Sequence, residues 1–136
     1  MTPEKFEKLR SSTINLFKIT DENLYDKTMQ LMNYYVQYYD TYITELKAYK
    51  KLLMAKEMIY GKLFNDFKFN QNVMLKSKTE IDPLIHNNAE YHEKAIAVLD
   101  QEIQVKYLEG IIDSINKMSY NIKNLIDLKT MKMNGN

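Results

Sequence analysis

The chain has 136 residues, a formal net charge of +1, 45% hydrophobic and 27% charged residues, and no cysteine. That is one domain's worth of soluble folded protein, too apolar for a disordered chain and too nearly neutral to bind nucleic acid by bulk charge. Disulfides, thiolate metal sites and cysteine nucleophiles are excluded, and three glycines and two prolines leave little punctuation for a β-rich fold. No apolar run approaches the roughly 20 residues of a membrane span, so no membrane role is expected. The opening MTPEKFEKLR mixes acids and bases without an apolar segment and does not read as a signal peptide; a cytoplasmic protein is expected.

Residues 3–10 predict a short helix, with Thr2 as N-cap and Pro3 at the first helical position, inside an N-terminal segment of residues 1–20. Ser11, Ser12 and Thr13 are expected to interrupt it. A stronger start follows at Thr20 or Asp21, and a long first helix is expected over 21–66. Along it Tyr25, Thr28, Met32, Tyr35, Tyr39, Tyr42, Leu46, Tyr49, Leu53, Lys56, Tyr60, Leu63 and Phe67 recur at steps of three and four. That spacing makes one seam and calls for a partner helix along it. A helix of roughly 70 Å, at 1.5 Å per residue, cannot bury its face inside a monomer of this size without a hairpin, an oligomer or both. Residues 67–86 are expected as a connection, read as a loop, with a short strand open at 67–76. A second long helix is expected over 87–131, capped by Asn87 or Asn88, with a frayed tail at 132–136. Its apolar stripe, from Tyr91 through Val98, Leu108, Ile115 and Ile122 to Leu128, is wider than a two-residue seam and should contact more than one neighbour. The fold class that follows is all-α, a hairpin of long antiparallel helices with a short N-terminal helix, in a single helical domain over 1–136.

The near-neutral charge hides blocks of opposite sign. Residues 47–78 hold eight lysines against Glu57 and Asp66, a net of +6, while residues 79–116 hold Lys94 and Lys106 against eight acids, a net of −6. Such blocks make a local basic surface, or are simply the solvated faces of long helices. Eleven tyrosines, six of them from Tyr34 to Tyr49, offer a base-stacking platform, but at heptad spacing Tyr35, Tyr39, Tyr42 and Tyr49 read first as core. Tyr34 and Tyr38 lie off the seam and are freer to meet a ligand. Lys56 stands on the seam between Leu53 and Tyr60, where a charge must be solvated or paired. His86, Glu90, His92 and Glu93 gather potential metal ligands, but no ligand-pair spacing is met, and neither a metal nor a cofactor is expected. No glycine loop for phosphates and no nucleophile–base pair is visible, so an enzyme is not expected.

VKYLEGIIDSI from Val105, followed by SYNIKNLIDLK with Ile122, Lys123, Asp127 and Lys129, together with KSKTEI at 76–81 and KLFN at 62–65, resembles the UvsY family, the recombination mediators of T-even-like bacteriophages. The resemblance implies a non-enzymatic, ring-forming helical protein of six or seven subunits in the cytoplasm of an infected bacterium. It implies binding to single-stranded DNA, a weakened hold of the phage single-strand binding protein, and loading of the RecA-like recombinase UvsX. On that reading Lys47, Lys50, Lys51, Lys56, Lys62 and Lys68 supply charge to phosphates, while Tyr60 and Phe64 stack or pack. The acidic block 79–116 is then a candidate face for the recombinase or the next subunit. Periodicity alone favours a different class, a structural coiled-coil adaptor with no DNA role.

Overall fold

The computed structural model describes residues 1–16, 24–70 and 77–134, and among them every regular element is helical. They form α1 (Pro3–Leu16), α2 (Leu24–Asn65), a π-helical turn (Asp66–Asn70), α3 (Lys78–His86) and α4 (Ala89–Asn134). The expected capping site at Thr20 or Asp21 lies outside the described residues, as does most of the segment for which a strand was open. The chain packs as two compact units, one of residues 1–44 with 104–136 and one of residues 45–103.

In the first unit α1 starts as its residues dictate. The Lys5 amide donates to Thr2 Oγ1 at 3.2 Å, which satisfies one of the unpaired donors of the first turn. The helix does not stop at Ser11. The hydroxyls of Ser11, Ser12 and Thr13 fold back onto the carbonyls of Glu7 and Leu9 at 2.7–3.1 Å, so they stay inside the helix instead of breaking it. The helix reaches Leu16, which is buried with Leu31, Tyr38, Leu108, Ile111, Ile115, Met118 and Ile122 in one core.

That core corrects the tyrosine reading. Tyr38, expected off the seam, is only 8% exposed, and its hydroxyl lies 3.2 Å from Thr13 Oγ1. Tyr39 and Met32, expected on the seam, are 45% and 75% exposed. The seam presumed a single partner and a strict seven-residue repeat. A straight helix drifts about 20° per heptad against that repeat, and α1 covers the flank of α2 onto which Leu31 and Tyr38 drift. Tyr42 stays half-buried and donates to Glu109 Oε1 at 3.0 Å. That bond, then burial and the nearby carboxylate charge, pushes its phenol above the ordinary value.

In the second unit the seam holds as expected: Leu46, Tyr49, Leu53, Lys56, Tyr60, Leu63 and Phe67 are all half-buried. Buried Gln101 on α4 donates from Nε2 to the carbonyl of Glu45 at 2.9 Å and to its carboxylate at 2.7 Å, which pins the pairing of α2 with α4 at one register. Of the stretch expected as a loop, the described residues 67–70 and 78–86 are helical. The π-turn keeps Phe67 packed against Ile81, Ile85 and Tyr91, and α3 forms although Pro83 lies inside it. Ile81 and Ile85 are 0% exposed, and burying two such side chains, about 1.5–3 kcal/mol each, offsets the backbone bond that proline removes. Asn88 then caps α4, its Oδ1 accepting from the Tyr91 amide at 3.2 Å.

Gly110 lies inside α4, and a Cβ built there meets nothing within 4 Å, so neither close helix approach nor space explains it. Gly110→Ala should therefore stabilise the first unit by up to about 1 kcal/mol, read as a raised urea midpoint. Leu108→Ala, two residues away but fully buried, should instead cost about 3 kcal/mol in the same measurement.

Candidate nucleic-acid interface

The six candidate lysines of the basic block lie on α2 and the π-turn, within the second unit; of its other two lysines, Lys78 begins α3 and Lys76 lies outside the described residues. Steps of four and three carry one exposed face from Lys47 through Lys51, Met54, Met58 and Lys62 to Asn65. Lys50 flanks it, with its ammonium 5.8 Å from the Tyr49 ring centroid. Four of the six candidate lysines are thus exposed on one helix, Lys47, Lys50 and Lys51 close together and Lys62 about three turns further on.

The other two are half-buried against aromatic rings. Lys56 places its ammonium 5.8 Å from the centroid of Tyr91, which answers the question raised by a cation on the seam: a ring face receives it. Lys68 lies 5.7 Å from Phe64 and 5.5 Å from Phe69.

Tyr60 and Phe64 are held by the protein itself. The Tyr60 hydroxyl donates to Asp82 Oδ1 at 2.6 Å, and its ring lies 6.0 Å from Tyr91 and 6.3 Å from Phe64, stacked on the latter. Both rings pack on the core of Ile81, Ile85 and Tyr91. The hydrogen bond to Asp82, then burial and the carboxylate's charge, raises the Tyr60 phenol above its ordinary value of 10.0. Asp82 also meets His86, whose Nδ1 lies 3.5 Å from the carboxylate and donates to the Asp82 carbonyl at 2.8 Å. The Tyr60–Asp82 bond braces α3 against α2, while the contacts of His86 with Asp82 stay within α3. Among the described residues no group of three or more His, Asp or Glu is disposed to hold a metal ion. Among them, too, no helix is long and apolar enough to cross a membrane.

Sequence reasoning missed three residues of this surface. Met54 and Met58 are 63% and 74% exposed between the lysines, and Phe69 is 66% exposed on the π-turn. The signal for the methionines was their four-residue spacing off the seam. For Phe69 none existed, because its direction depends on the widened turn.

Tyr60→Phe removes the bond to Asp82 and keeps the ring. It should cost about 1 kcal/mol at neutral pH. Because the folded phenol is raised, this contribution is fully present below pH 10 and is lost as pH rises through the raised value. Denaturant melts of both proteins should therefore differ at pH 7 and converge in strong alkali.

The chain matches no protein-family profile and no curated protein sequence. Its fold is similar to that of the bacteriophage T4 recombination mediator protein UvsY in two crystal forms. For one, the TM-score is 0.80 at 12% identity, covering 97% of this chain and 99% of that one. For the other, it is 0.80 at 14% identity, covering 98% of each.

Proposed function

We propose that this protein is a non-enzymatic recombination mediator that binds single-stranded DNA along the exposed lysine face of α2. The observation that carries the reading is the near-complete agreement of fold with a recombination mediator, end to end in both chains. The arrangement of the lysines supports it, because four exposed cations on and beside one helix face can meet phosphates without reading sequence. In this reading the protein weakens the hold of a phage single-strand binding protein and helps load a RecA-like recombinase of the UvsX type. It works in the cytoplasm of an infected bacterium.

A homo-oligomeric ring of six or seven subunits belongs to the same proposal. Large apolar side chains stay 45–68% exposed at helical spacing: Ile96, Leu99 and Ile103 in the second unit, and Leu125, Leu128 and Met131 in the first. Such stripes favour burial against further copies of the chain. A ring repeats the local +6 block once per subunit, which multiplies a field that the near-neutral monomer lacks.

Fluorescence anisotropy of a labelled single-stranded oligonucleotide at several salt concentrations tests the reading. Tight binding that falls steeply with salt is expected. Replacing Lys47, Lys50, Lys51 and Lys62 together by Ala should weaken it at least tenfold at low salt. The slope of log affinity against log salt should flatten by about 3, near 0.7 per lost phosphate contact on a single strand. An oligomer that ignores DNA at low salt would return the protein to the adaptor class.

A further inference from the structure

The structure leaves one aromatic ring of the basic segment bare. Phe64 and Phe67 pack on the core of the second unit, whereas Phe69 is 66% exposed on the π-turn that ends α2. A single exposed phenylalanine is unremarkable on its own. This one has two further features. It stands on a five-residue π-helical turn, a backbone form that is rare and frequent at functional sites. Its neighbour Lys68 holds an ammonium 5.5 Å from its centroid and 5.7 Å from Phe64, so a cation is fixed beside the exposed ring instead of roaming in solvent.

We propose that Phe69 is the base-stacking residue of the single-stranded DNA site, with Lys68 held beside it to meet the phosphate of the stacked nucleotide. The inference rests on the DNA-binding reading above and moves the stacking role away from Tyr60 and Phe64, whose rings the core already uses. An exposed ring offers a face that every base can cover, so the contact is sequence-tolerant and needs an unpaired base. Lysines alone recognise the sugar–phosphate chain whether or not bases are attached. Phe69 adds the preference for a strand that carries them.

The test separates the two recognitions. The chain contains no tryptophan, so Phe69→Trp places a single indole at the site. Oligo-dT should quench it, and an abasic deoxyribose–phosphate oligomer of equal length should not. Phe69→Ala and Phe69→Leu should lose about tenfold in affinity for oligo-dT and bind the abasic oligomer like the parent protein. The leucine variant keeps the apolar bulk and removes only the π face. An indole unmoved by dT while anisotropy reports binding, or variants that match the parent on both oligomers, would overturn the stacking role and leave the lysine face standing. A parent protein that binds neither oligomer at low salt would remove the DNA-binding reading and the inference with it.

Discussion

Two helices of 42 and 46 residues carry more apolar surface than they can bury against each other, and the fold answers this surplus in each unit with a short third helix. In the first unit α1 brings Leu16 into the core, sets Thr13 against Tyr38, and packs Phe6 edge-on to Tyr107 at 5.3 Å. In the second unit α3 supplies Ile81 and Ile85, the most completely buried pair of that core. Each short helix is kept by burial against the long pair and not by its own propensity. That is why Ser11–Thr13 and Pro83 are tolerated inside them.

The same surplus shapes the electrostatics of α2. Where the seam must accept a cation, at Lys56, the partner helix offers the face of Tyr91. Where α3 must be braced, Tyr60 gives its hydroxyl to Asp82. Each such commitment removes a side chain from the surface. What is left exposed is a face of lysines interleaved with methionines, flexible and polarizable side chains that adapt to irregular partners. The proposed DNA site is built from what the core does not use.

The legible features were those written in local chemistry. The Thr2 and Asn88 caps and the two long helices follow from residue types at fixed spacing, and each has its counterpart among the described residues. Misreadings arose where a neighbour distant in sequence decided the outcome. Tyr38 and Tyr39 are adjacent and chemically identical, yet one is buried and the other exposed, because α1 lies against one flank of α2. Residues 67–86 read as a loop, with a strand open over 67–76 because apolar side chains fall at odd positions. The π-turn instead sends Phe67 to the core and leaves Phe69 outside.

By itself the sequence determined the fold class, the existence and approximate extent of both long helices, and the segregation of charge into blocks. Those depend on periodicity, capping and composition, which are local and additive along the chain. Only the tertiary structure decided which tyrosines are core, that α3 survives its proline, and which cations and rings of the basic segment remain free. Those depend on which surfaces meet across tens of residues, and a side chain spent on packing is no longer available to a ligand.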